Sequence, residues 1–212
     1  MTEWDEWRAV IARLDELIER DFGVCPDRVE GCPACDVMTV RDQLAQHAEA
    51  VKDPEEEGAP MSRIEARLAE LGVTLPEPAK PVAAYVPFVE SGGHLYVSGQ
   101  ISLGPDGLVT GLLGKDLDLE AGAAAARLCG LNLLAQAKAA VGDLDRIAQV
   151  VRLGGFVACT ADFTDQPKVI DGASTLMAEV FGEAGRHARA AVGAPSLPLN
   201  AAVEIDGVFR IA

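Results

Sequence analysis

Arg189-Ala-Ala-Val-Gly193 and, past a proline turn, Leu197-Pro-Leu-Asn-Ala-Ala-Val-Glu204-Ile-Asp206 decide how this chain is read. Two apolar, strand-like runs carry one arginine and one glutamate fifteen positions apart. Arginine is a planar fork that grips a carboxylate through two parallel hydrogen bonds. A glutamate flanked by Val203 and Ile205 sits where a carboxylate is costly without a partner or a task. The pair predicts a small pocket for an anionic metabolite beside an acid/base group. The bland alternative is a structural ion pair between adjacent strands.

Upstream, residues 169–181 have helical periodicity and stop at Gly182, and residues 147–158 are a mostly apolar run rich in β-branched side chains, read as a buried strand. Residues 119–141 form a long helix of Ala and Leu closed by Gly142. Pro105-Asp-Gly107 is a turn. Residues 83–89 and 95–101 read as strands joined by Ser91-Gly-Gly-His94, a hairpin signal. Residues 62–71 read as a helix with Ser62 as N-cap, Glu65 three positions on and Gly72 as its stop. The final strands fall near 188–194 and 202–211. After the first helix the order ββ-α-β-α-ββ predicts an α+β fold, a mixed sheet with two helices on one face.

Residues 1–60 read as a separate unit. They hold six Lys/Arg against sixteen Asp/Glu, so most of the net charge of −15 lies there. Trp4, Trp7, Ile11, Leu14, Leu17 and Ile18 recur at helical steps, and residues 39–51 suggest a second short helix. Residues 53–60, acidic and rich in Pro and Gly, read as a linker to a domain spanning 61–212. Cys25, Cys32 and Cys35 lie in the loop between the two helices, with His47 beyond. Three thiolates and an imidazole suit a structural zinc. The Cys32–Cys35 spacing also suits a redox pair, and ordinary thiols are the third reading. Cys129 and Cys159, in apolar runs, read as inert core thiols.

The acidity argues against a nucleic-acid partner, which needs Lys/Arg patches. No apolar run reaches membrane-spanning length, and Met1-Thr-Glu-Trp-Asp-Glu-Trp7 is acidic where a secretory signal is basic. A cytoplasmic setting is the expectation.

From about residue 81 to 212 the chain resembles the RidA/YjgF family of small imine deaminases. Tyr85, then Leu95-Tyr-Val-Ser98-Gly99-Gln100-Ile101, Gly142-Asp-Leu-Asp-Arg-Ile147, Ala188-Arg189-Ala-Ala-Val192 and Val203-Glu204-Ile-Asp206 occur in the family's order. The resemblance implies a chorismate-mutase-like fold and a homotrimer with pockets between subunits. It also implies hydrolysis of 2-imino or 2-enamino acids to 2-keto acids and ammonia, without a catalytic cofactor. By position, Arg189 would hold a substrate carboxylate and Glu204 would activate water. Tyr85, Ser98 and Gly99 would line the pocket, with backbone near Ala191 and a contribution from His187. The chain departs from the archetype at Ala191, where the family has cysteine, at Ala83-Ala84 in place of Gly-Pro, and at Ser102 in place of proline.

Imine hydrolysis needs a carboxylate clamp, one placed water and one managed proton. Ser98 lacks a sequence-visible base and reads as pocket lining rather than a nucleophile. His187 reads as a pocket residue or a turn residue, and His94 as solvated. The partner implied is a small carboxylate-bearing metabolite. The rival class is a non-catalytic module that binds such a metabolite in the same interface pocket. Ribonuclease activity, also attached to the family, fits poorly with the acidity and the lack of a basic, aromatic surface pattern.

Overall fold

The computed structural model describes residues 62–79 and 84–212, together with seven isolated helical positions before residue 60. The chain divides into two compact units, Met1–Pro60 and Met61–Ala212. In the first, Val10, Ala12, Arg13 and Glu16, and then Val40, Asp42 and Gln43, are helical. The Cys25, Cys32, Cys35 and His47 readings lie outside the described residues.

The second unit opens with α1 (Arg63–Glu70). The Ser62 hydroxyl accepts from the Glu65 amide, so the cap read from sequence is in place. Glu65 does not reach back to close the box, and its carboxylate pairs with Lys138 instead. Asp145, some eighty positions on, accepts from the amides of Arg63 and Ile64 at 2.9 and 3.0 Å. A carboxylate distant in sequence thus satisfies two of the helix's free N–H groups. Ile64 and Leu68 are buried beneath.

Next come β1 (Phe88–Ser91), β2 (His94–Ile101) and the small hairpin β3 (Leu103–Gly104) and β4 (Gly107–Leu108). β1 is shorter than its sequence suggests. Tyr85 lies in a bend, and the strand begins only after Pro87, which has no amide to give a ladder. α2 (Leu119–Val141) ends at Gly142, whose φ of +78° favours glycine. β5 (Ile147–Ala158) follows. α3 (Gln166–Phe181) begins three residues earlier than its apolar spacing indicates, because Pro167 fits the first turn. β6 (Ala188–Ala194) and β7 (Val203–Ile211) close the unit.

The five-stranded sheet runs β1-β2-β7-β5-β6. All its pairs are antiparallel except β5 with β6, which is parallel. α3 supplies the crossover that a parallel pair requires. The last strand therefore inserts between β2 and β5, and β6 becomes an edge. Arg189 and Glu204 are not on adjacent strands, because β5 separates them.

α2 and α3 pack on one face. Leu95, Val97, Leu153, Val157, Val203, Ile205 and Phe209 of the sheet meet Ala126, Cys129, Leu133, Ile170 and Met177 of the helices, all buried. Cys129 and Cys159 are core thiols, as their contexts indicate. The two helices approach closely through small residues. A Cβ on Gly172 would run into the backbone carbonyl of Ala123, and one on Gly130 would press on Leu176 and Ala173.

Gly172→Ala pits a helix-propensity gain of up to about 1 kcal/mol against a backbone collision. The collision should win, and urea unfolding should show a net loss of about 1–2 kcal/mol. An unchanged or raised stability would mean that the helices can slide apart at no cost.

Candidate functional site

Alternation along the central strand sorts the site residues. On β7, Val203, Ile205 and Phe209 are buried against the helices, so Glu204, Asp206 and Val208 turn to the opposite face. Two glycines confirm the sorting. A Cβ on Gly155 would strike Ile170 of α3, whereas one on neighbouring Gly154 would strike the Asp206 carboxylate.

On this second face the register aligns Ile101, Glu204, Phe156 and Val192 across four strands. A parallel row holds Val89, Tyr96, Val208, Arg152 and Ala188. Val89, Tyr96, Phe156 and Val192 are each between 36% and 50% exposed. Among the described residues nothing packs over them.

Glu204 lies within this apolar surface. β2 and β7 lose register between Val97 and Gln100, a bulge that carries Ser98 and Gly99. The Glu204 carboxylate lies directly over Gly99, where any side chain would collide with it. This explains the glycine in Ser-Gly-Gln. Ser98 therefore sits in a strand bulge rather than in a regular stretch of strand. Its amide and hydroxyl donate to the carbonyls of Pro87 and Val86 at 2.9 and 2.8 Å, which ties the Tyr85 segment to β2. Tyr85 itself is half exposed. Burial raises the Glu204 carboxyl pKa, and the charge of Asp206 raises it further. Asp206 has its own cation, Arg152 at 3.2 Å. Tyr85, Ser98, Gly99 and Glu204 thus share one end of the sheet.

Arg189 lies elsewhere. On β6 it is in register with Leu153 and Gly207, both on the helix-covered face. Its Nη1 donates to Asp171 Oδ1 at 2.7 Å and to Ser174 Oγ at 2.9 Å, both on α3. The structural partner of Arg189 is therefore Asp171 rather than Glu204. Ala191, two residues along, shares this face and packs at the core's margin. His187 completes the cluster, with Nδ1 2.6 Å from the Gly185 carbonyl and Nε2 3.0 Å from Ser174 Oγ. A carbonyl only accepts, so Nδ1 donates to it, and Nε2 pairs with the Ser174 hydroxyl. His187 is thus bonded into the arginine cluster, whereas His94 bonds only the Gly92 carbonyl of its own turn.

Within one chain the residues read from sequence fall into two groups, on opposite faces and toward opposite edges of the sheet. One group offers an arginine fork, the other a carboxyl whose pKa is raised by its burial in an apolar setting. Asp171, Ser174, Arg152 and Asp206 were not read from the sequence. Asp171 and Ser174 share a helix face between the apolar pairs Val169-Ile170 and Leu176-Met177, a spacing that also marks any solvated helix stripe. Among the described residues no group of three or more His, Cys, Asp or Glu has metal-binding geometry, and no helix is long and apolar enough to cross a membrane.

A family model described as "YjgF/chorismate_mutase-like, putative endoribonuclease" matches residues 65–209. The chain belongs to this family. Its match begins at residue 65, within α1 and sixteen residues before the start of the resemblance at 81. Protein TCP17 of Trypanosoma cruzi is 48% identical over 151 residues, covering 70% of this chain and 94% of that protein. Among solved structures, Atu1372 of Agrobacterium tumefaciens, of unknown function, is 54% identical with a TM-score of 0.66, covering 70% of this chain and 92% of its own. One from Shewanella oneidensis, a putative endoribonuclease, is 40% identical with a TM-score of 0.68, covering 70% and 99%. The YjgF-like match spans the sheet, both large helices and every described site residue. The mixed α+β sheet with two helices on one face is the family's fold.

The raised Glu204 pKa has a thermodynamic consequence. The folded carboxyl holds its proton more tightly than the unfolded one. Between the ordinary carboxylate range and the raised value the native state binds more protons, so stability falls as pH rises through that window. Glu204→Gln removes this term. The variant should match wild type at about pH 4 and exceed it at about pH 7–8 in denaturant unfolding. Equal stability at both pH values would show that Glu204 is solvated.

Proposed function

We propose that this protein hydrolyses small 2-imino or 2-enamino acids to 2-keto acids and ammonia, as a homotrimer whose pockets form between subunits. The observation that carries the reading is the partition of the site. Arg189, held on the β6 edge by α3, and Glu204, lodged over Gly99 on the opposite face, cannot serve one ligand from a single chain. A second copy, seating its β6 edge against the exposed face of the first, would bring the two halves together. The apolar rows around Tyr96, Phe156 and Val192 support such an interface, because exposed contiguous apolar surface marks association. A closed ring also leaves no such surface open.

The chemistry follows from the groups. The guanidinium of Arg189 holds the substrate carboxylate. The imine carbon is electrophilic once its nitrogen is protonated. Water adds to that carbon while Glu204 takes one of its protons. The proton then passes to nitrogen, and as the C–N bond breaks the carbinolamine hydroxyl gives its remaining proton to the regenerated Glu204 carboxylate, which releases ammonia and leaves the keto acid. A carboxyl whose pKa is raised by burial suits both halves of that transfer. Tyr85 and Ser98 shape the pocket wall, and no metal is needed.

A serine dehydratase that generates 2-aminoacrylate in situ tests the reading through the rate of pyruvate release. Wild type should accelerate release. Arg189→Ala should lower kcat/KM about ten- to a hundred-fold, and Glu204→Gln on the order of a hundred-fold. No acceleration by wild type would favour the binding-module reading, in which the pocket holds a metabolite without turning it over.

The assembly has its own test. Sedimentation should give three chain masses for wild type. Phe156→Glu, which puts a further carboxylate beside Glu204 at the exposed face, should sediment as a monomer with unchanged far-ultraviolet circular dichroism. A trimeric Phe156→Glu would place the interface elsewhere.

A further inference from the structure

Arg189 uses one corner of its fork on its own chain. Nη1 serves Asp171 and Ser174, while Nε and Nη2 make no hydrogen bond among the described residues. Those two nitrogens form the edge that takes a carboxylate side-on through parallel hydrogen bonds. The arginine side chain is only 23% exposed, so packing limits its movement. The hydrogen-bonded series Gly185 carbonyl, His187, Ser174 then fixes Nη1.

Asp171 is the unexpected member. It is 59% exposed, and its second oxygen, Oδ2, has no hydrogen-bond partner among the described residues. Exposed ion pairs contribute little to stability, so folding alone gives a weak reason for a carboxylate at this point. For a ligand it changes the site's charge. Arg189 alone would be a cationic site selecting any monoanion. Arg189 with Asp171 is neutral overall, with a plus and a minus end side by side. A monoanion there meets the attraction of the guanidinium and the repulsion of the carboxylate. A molecule with a carboxylate and a protonated nitrogen on neighbouring atoms meets two attractions.

We infer that Asp171 is a specificity-determining residue, and that the Arg189–Asp171 pair selects zwitterions: 2-amino acids or 2-iminium acids, with the carboxylate on Nε and Nη2 and the charged nitrogen on Asp171 Oδ2. This rests on the assignment of Arg189 as the carboxylate clamp and adds the substrate's charge pattern to it. A keto acid, having lost its nitrogen, is held less well, so hydrolysis converts a favoured ligand into a disfavoured one and product leaves.

Alanine and pyruvate share a carbon skeleton and differ in this charge pattern, and ethylamine supplies the cation alone. Binding of each to the full-length protein can be followed by ligand-observed NMR. Wild type should bind alanine at least fivefold more tightly than pyruvate, and ethylamine more weakly than alanine. Asp171→Asn should weaken alanine about tenfold and leave pyruvate unchanged or tighter, which inverts the order. Ser174→Ala should weaken both acids alike, because it loosens the arginine without altering charge. A wild type that binds pyruvate as well as alanine, or binds neither, overturns the inference. So does an Asp171→Asn variant that keeps the wild-type ratio or weakens both acids equally. Thermal melts of each variant identify unfolding, in which case the wild-type ratio decides alone. Acceleration in the dehydratase assay without the alanine preference would preserve the deaminase reading while rejecting this one.

Discussion

The two-sided pairing of β7 is the constraint on which the rest of the domain depends. A strand with neighbours on both sides cannot shift by one residue without turning its apolar set away from the helices. Val203, Ile205 and Phe209 must face α2 and α3, so Glu204 and Asp206 must face the other way. The glycines of the adjacent strands then follow from the space those carboxylates need. Gly99 sits beneath Glu204 and Gly154 beneath Asp206, each where a methyl group would collide. The central strand thus fixes the faces, the faces position the carboxylates, and the carboxylates occupy the space the glycines beside them leave open.

Arg189 obeys the same logic at the sheet's edge. Its register with Leu153 places it on the helix side, and the parallel β5–α3–β6 crossover brings Asp171 and Ser174 of that same α3 within reach. One crossover therefore supplies both the strand that carries the arginine and the helix that orients it. His187 enters because the chain leaving α3 turns at Gly185, whose carbonyl accepts from the imidazole Nδ1. Four polar residues are ordered by about twenty residues of chain, which makes this end of the site local and rigid. The Glu204 end is nonlocal, drawing on β1, β2 and β7.

That difference decides what the sequence disclosed. Elements set by short-range signals were legible: the bounds of α2 and β5, the Ser62 cap, and the glycine stops at Gly142 and Gly182. What escaped was pairing. Local periodicity does not say that β7 enters between β2 and β5, so Arg189 and Glu204 read as neighbours when a whole strand divides them. Ser98 read as part of a regular strand because local composition does not reveal a bulge. Asp171 looked like any solvated helix position because its partner lies eighteen residues away across a crossover. Asp145, capping a helix some eighty residues earlier, was invisible for the same reason.

The division of the site bears on how its chemistry would be controlled. An arginine and a catalytic carboxyl facing each other in one chain would neutralise one another before any ligand arrived, and the carboxyl pKa would fall. Here the sheet separates them. Arg189 takes its balancing charge from Asp171, and Glu204 keeps a raised pKa because its near neighbours are apolar side chains and a second acid. If assembly brings Arg189 of one copy toward Glu204 of another, the approach must stop short of an ion pair. The interposed substrate carboxylate and the prior claim of Asp171 on Nη1 both act in that direction. Separation of the two groups, rather than their attraction, is then what keeps the Glu204 pKa raised.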